Sequence, residues 1–112
     1  MTREISTMIK FSVLTGVILL GMAAMATAHA GDAVAGQKLF GTTCIACHGA
    51  NGISIATIYP NLAGQKADYL VAQLKAFRDG TRPNPIMGPM AKGLTDADID
   101  NLAAYISTLK GQ

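Results

Sequence analysis

Cys44-Ile45-Ala46-Cys47-His48 is the stretch whose residue types and spacing carry the most specific chemistry in this chain. Two cysteines separated by two residues and followed directly by histidine have the spacing of a c-type haem attachment. Each thiol can add to one vinyl group, and the short turn brings both sulfurs to one edge of the porphyrin. The adjacent imidazole then lies under the iron as its proximal ligand. Three other readings compete. Structural zinc needs four ligands, and a redox-active thiol pair wants a βαβ setting. A disulfide across two residues closes so small a loop that it stabilises little.

The other chemically capable side chains are few once the N-terminus is read. The chain has 112 residues, and its first thirty resemble an export signal. Arg3 and Lys10 precede an apolar run from Phe11 to Met25, and Ala28-His29-Ala30 fits a small-residue cleavage site. Cleavage after Ala30 is expected, which takes 30 residues from 112 and leaves the 82 of Gly31–Gln112. The alternative, a retained anchor, is disfavoured because the run is shorter than the ~20 residues a membrane span requires. A periplasmic location follows from this reading, with no membrane span after cleavage.

The mature part holds seven Lys and Arg against six Asp, a net charge of +1. That is too weak a basic balance for a nucleic-acid partner. His29 leaves with the signal, so His48 is the only remaining histidine, and Met87 and Met90 are the only remaining methionines. Two consequences follow. A zinc site has no further Cys or His to complete it. A haem iron held by His48 has no second histidine within the chain, so a methionine is the expected sixth ligand, an arrangement that raises the reduction potential and suits electron transfer. Met87 and Met90 lie in Arg82-Pro83-Asn84-Pro85-Ile86-Met87-Gly88-Pro89-Met90, where three prolines predict a stiff, non-helical loop. The competing reading of both methionines is gap-filling core.

The elements that must position these groups are helical. Asp32 is the expected N-cap of a helix running to about Thr42, with Gly36 and Phe40 on one face. Gly36 reads as a point of close approach for another helix. Ile53 to Tyr59 is β-branched and apolar, but no second strand exists to pair with it, so an extended loop covering the site is expected. Ala67 to Asp79 forms a second helix with a stripe of Tyr69, Leu70, Gln73, Leu74 and Phe77, stopped by Gly80. Thr95 caps a third, from Asp96 to about Leu109, with Ile99, Leu102, Ala103, Ile106 and Leu109 at helical spacing. The fold class is all-α: three main helices and ordered loops around one covalently attached haem. A chain this short has a marginal apolar core of its own, and haem would supply the missing apolar body.

These residues together resemble the class I c-type cytochromes, in particular the small soluble bacterial ones and one half of the two-haem cytochrome c-four. The resemblance covers nearly all of Gly31–Gln112. It rests on Cys44-x-x-Cys47-His48-Gly49, Tyr59-Pro60-x-Leu62-x-Gly64-Gln65, Asp68-Tyr69-Leu70, Pro85-Ile86-Met87, Leu94-Thr95-Asp96 and Leu102-Ala103-Ala104-Tyr105. It implies that Gly36 and Phe40 pack against Leu102 and Tyr105. It implies that the Pro60 carbonyl accepts a hydrogen bond from the His48 ring, orienting it and strengthening it as a ligand. It places the axial methionine on Met87, with Met90 as the alternative. Gln65 and Lys66 fall where the family often sets groups near a haem propionate. The implied protein is a one-electron carrier and not an enzyme, working between redox protein partners as a monomer or weak dimer. The alternatives are a haem-c subunit docked on a larger dehydrogenase or oxidase, and a ligand-binding haem protein with a labile methionine. With a single C-x-x-C-H, electron sharing between two haems in one chain is not implied.

Overall fold

A computed structural model describes residues 31–111; the expected signal segment, residues 1–30, lies outside the described residues. Five helices follow in order: α1 Ala33–Thr43, α2 Ile45–His48, α3 Ala67–Asp79, α4 Met87–Ala91 and α5 Asp96–Ile106. No strand occurs among the described residues. Ile53 to Tyr59 is loop, as expected from its lack of a pairing partner.

Local chemistry sets the helix starts. The Asp32 carboxylate accepts from the Val34 and Ala35 amides, satisfying two of the donors that a helix N-terminus leaves unpaired. Thr95 and Asp98 form a reciprocal capping box at the start of α5. Gly80 ends α3 in the left-handed conformation (φ 81°).

α1 and α5 cross closely, and Gly36 is the reason they can. A Cβ at Gly36 would overlap the Asn101 carbonyl and touch the Tyr105 Cβ, so only hydrogen fits. Four residues on, the Phe40 and Tyr105 rings meet edge to face with centroids 5.4 Å apart. Asp32 N donates to Asn101 Oδ1 at 2.7 Å and ties the chain start to the same crossing. Phe40, Leu70, Leu102, Ala103 and Ile106 form the buried core where α1, α3 and α5 converge. The expected α1–α5 packing is therefore what the structure contains.

Two differences from expectation concern helix extent. The third long helix stops at Ile106 rather than near Leu109. Ser107 and Thr108 turn their hydroxyls back onto the Ala104 and Tyr105 carbonyls, and the amides of Thr108 and Leu109 bond three residues back. Side-chain competition of this kind closes a helix. The proline-framed stretch, expected to be non-helical, contains the short α4. Pro89 is tolerated because it occupies the third helical position, where the N–H has no partner within the helix anyway.

Candidate functional site

The Cys44–His48 segment is a single helical turn entered directly from α1. The Cys44 amide closes α1 on the Phe40 carbonyl at 2.9 Å, and the Cys44 carbonyl accepts from the His48 amide at 3.0 Å. Cys44 thus serves both turns, and the rigid α1–α5 crossing carries through to His48. After His48, Gly49 takes φ 81°, and a Cβ there would overlap the Ile53 carbonyl. The chain can then fold back under the histidine.

That return brings Pro60 to His48. The loop is closed by Leu62 and Ala63 amides on the Gly52 carbonyl at 2.8 and 3.0 Å, and by the Asn61 amide oxygen accepting from the Ser54 amide at 2.8 Å. His48 is 6% exposed, and its Nδ1 lies 2.9 Å from the Pro60 carbonyl oxygen. A carbonyl only accepts, so Nδ1 carries the proton and Nε2 keeps its lone pair. The ring is therefore held in the tautomer that presents a donor nitrogen, with its orientation set by a backbone atom.

His48 lines one cleft together with both thiols and both methionines. Two adjoining clefts enclose about 710 and 930 Å³ of non-protein space, open mouths included. Cys44, His48, Pro60, Leu74, Asn84, Met87 and Leu102 line both, so the two are halves of one slot. Cys47, Ile58, Tyr59, Ile86 and Met90 belong to the first half alone. Gln65, Tyr69, Leu70, Gln73, Phe77 and Arg82 belong to the second alone. Met87 is half-buried and common to both halves, whereas Met90 is 44% exposed and borders one.

Met87 is positioned by a residue that sequence reasoning passed over. Asn84 Oδ1 accepts from the Ile86 amide at 2.9 Å and the Met87 amide at 2.7 Å, while its carbonyl accepts from Gly88 at 3.0 Å. Asparagine three residues before Met87 was the available signal, since its side chain characteristically bonds backbone amides two and three residues on. Of the two residues that the resemblance sets near a propionate, Gln65 lines the second half of the slot and Lys66 does not.

The thiols are unbridged. Burial, reinforced by the neighbouring Cys47, pushes the Cys44 thiol up to about 11. A dithiol redox motif depends on the opposite shift, toward a stabilised thiolate, so the environment disfavours that reading. The Tyr59 phenol is raised above its usual value by hydrogen bonding to Cys47 and by that group's charge once ionised. Among the described residues, no group of three or more His, Cys, Asp or Glu side chains is arranged to hold a bare metal ion. A walled apolar slot with two thiols and one lone-pair imidazole on the same side has the donor set for haem c, and the residues fit that group.

An all-α fold wrapped on such a slot defines the class: a c-type haem protein. Comparison with known proteins bears this out. The cytochrome c family model matches residues 33–110, and the chain belongs to the cytochrome c family. It is 54% identical over 82 residues to cytochrome c-554(548) of Halomonas halodenitrificans, covering 70% of this chain and 98% of that one. It is 45% identical over 83 residues to cytochrome c4 of Thiocapsa roseopersicina, covering 74% of this chain and 43% of that one. The solved structure of Acidithiobacillus ferrooxidans cytochrome c4 superposes with a TM-score of 0.66 at 38% identity, over 69% of this chain and 49% of that chain. The chain thus spans roughly half the length of the cytochromes c4 it matches and nearly all of the c-554(548). As a cytochrome c it carries a covalently bound haem c with iron, works with redox protein partners and is an electron-transfer protein, not an enzyme.

Proposed function

We propose that this chain is a periplasmic one-electron carrier in which His48 and Met87 are the axial ligands of the iron and Cys44 and Cys47 form the two thioethers. Haem c supplies the ferric/ferrous couple. The side chains of this protein determine how that couple is held. Cys44 and Cys47 anchor one edge from a single helical turn. His48 would hold the iron through Nε2, and the Pro60 carbonyl, bonded to Nδ1, fixes the ring and increases its basicity. Met87, which lines the same slot, would offer a thioether, its backbone amide held by Asn84 Oδ1. Leu70, Leu74 and Leu102 line the slot and exclude water, which keeps solvent reorganisation small as the charge changes. Two protein ligands leave iron no open position for substrate.

The observation that carries the ligand assignment is that Met87, unlike Met90, borders both halves of the slot shared with His48. Cleavage after Ala30 and export to the periplasm rest on the N-terminal sequence. No described helix is long and apolar enough to cross a membrane. Relatives named thiosulfate dehydrogenase electron acceptor, 44% and 51% identical over 69 residues but matched over only 32% of their length, support a carrier fed by a dehydrogenase. The test is the ferric spectrum of Met87→Ala beside that of Met90→Ala. The sulfur-to-iron charge-transfer band is expected to vanish in the first and persist in the second. Loss in Met90→Ala alone would reverse the assignment.

A further inference from the structure

The early end of α5 sends the chain to a place that a longer helix would not reach. Residues 109–111 run against the loop that carries Pro60, and three contacts fasten them there. The Leu109 carbonyl accepts from the Gly64 amide at 2.9 Å. The Leu109 side chain reaches Gly52, where a Cβ would sit 3.1 Å from its Cδ1. Gly111, at φ 68°, lies on Ile53 and Ala63, and a Cβ there would come within 2.9 Å of the Ile53 Cδ1. Gly52 and Ala63 are the two sides of the loop's neck, since the Gly52 carbonyl accepts from the Leu62 and Ala63 amides at 2.8 and 3.0 Å. The loop has little core of its own to keep that neck shut, with Ile55 and Ile58 each 74% exposed. A segment with so few buried apolar contacts opens at low cost unless it is held from outside.

We propose that Leu109 and Gly111 are positioning residues for His48: as a strap across the neck of the 52–63 loop, they keep the Pro60 carbonyl on the Nδ1 proton. The inference rests on the reading that His48 ligates the haem iron. Two hydrogen bonds then act in series, Gly64 amide to Leu109 carbonyl and His48 Nδ1 to Pro60 carbonyl, with Leu62 and Ala63 as the link between them. An imidazole whose Nδ1 proton is engaged is a stronger donor and favours ferric iron. Released from its acceptor, the same ring is a weaker donor and favours ferrous iron. Loosening the strap therefore raises the reduction potential and opens the Nδ1 proton to solvent, while the α1–α5 crossing stays closed.

One haem per chain in a pyridine haemochrome assay, with strong ring-current shifts of the His48 carbon-bound protons in the reduced holoprotein, establishes the underlying ligation separately. Their absence overturns both readings. Proton exchange of the reduced holoprotein is then followed by NMR in the parent, in a chain ending at Thr108, and in Gly111→Val. The valine fits neither the backbone angle nor the space at that position. In both variants the His48 Nδ1 proton and the Gly64 amide are expected to exchange roughly tenfold faster, as loss of a hydrogen bond to a local opening implies. The amides of Phe40 and Leu102 should keep the parent's rates, and the midpoint potential should rise. Lys110→Ala changes an exposed side chain of the same segment, leaves its backbone alone and should exchange as the parent does. Unchanged Nδ1 exchange beside a faster Gly64 amide would overturn the proposal, as would equal acceleration throughout α1 and α5. If neither variant accumulates as holoprotein, the parent decides. A common exchange rate for the Gly64 amide and the Nδ1 proton supports the strap, and a freely exchanging Gly64 amide beside a persistent Nδ1 proton refutes it.

Discussion

At the scale of single residues, one backbone carbonyl and one side-chain amide do the positioning. The Pro60 carbonyl engages His48 Nδ1 at 2.9 Å, and the Asn84 amide oxygen holds the Met87 amide at 2.7 Å. A thioether is a weak ligand, so the second contact matters more than its size suggests. Losing side-chain-to-amide bonds like those that cap a helix costs about 1 kcal/mol, and the loss falls on the segment carrying the sulfur. Asn84→Ala is expected to unfold at only slightly lower denaturant concentration than the parent. Its ferrous form should nevertheless bind carbon monoxide, which the parent is expected to exclude, as flash photolysis or the Soret shift would record. His48 and its spacing from Pro60 were legible in the sequence. Asn84 was not, because its role depends on a short helix that the proline content of the stretch argues against.

At the scale of elements, two contacts hold the helices in register, and they are stabilised by different physics. The α1–α5 crossing is steric. Alanine favours a helix over glycine by about 1 kcal/mol, yet Gly36→Ala puts a methyl into the Asn101 carbonyl. Overpacking of that sort costs about 1–3 kcal/mol, so the clash wins, and a lower urea midpoint is expected despite the better propensity. The junction between the end of α3 and the start of α5 is electrostatic. Arg78 donates to Asp79 at 2.9 Å and to Asp96 at 2.7 Å, and also reaches the Leu94 carbonyl. Hydrogen bonding to Arg78 holds both carboxyls below their usual range, and the two carboxylates hold the guanidinium pKa up. A carboxyl whose folded pKa lies below its unfolded value near 3.9 stabilises the fold fully above that pH and loses the contribution as pH falls through the folded value. Urea titrations should therefore separate the parent from Asp96→Asn at pH 7, with the gap closing below about pH 4. Both carboxylates are solvent-exposed, so the gap should also shrink in high salt.

At the scale of the whole molecule, the slot interrupts what would otherwise be the core. Among the described residues, the large side chains less than 2% exposed are Phe40, Ile99 and Leu102, a small set for a domain of this length. Haem completes the interior, and the fold and its cofactor are one thermodynamic unit. A Cys44→Ala/Cys47→Ala variant, unable to attach the group, is expected to retain some helix in far-ultraviolet circular dichroism. It should lose near-ultraviolet signal and cooperative thermal unfolding. A sharp two-state transition in that variant would contradict this account.

Periodicity and motif spacing alone determined the helical class, the span of α3 from Ala67 to Asp79, the caps at Asp32 and Thr95, and the attachment motif at Cys44–His48. Each depends on residues within a turn or two of one another, and local backbone chemistry decides them. The α4 turn, the early stop of α5 at Ile106, and the choice of Met87 as the methionine common to both halves of the slot were decided by the tertiary structure. They depend on groups brought together across the chain: Asn84 bonded to the Met87 amide, and Met87 lining the same slot as His48. No single stretch of sequence carries those distances.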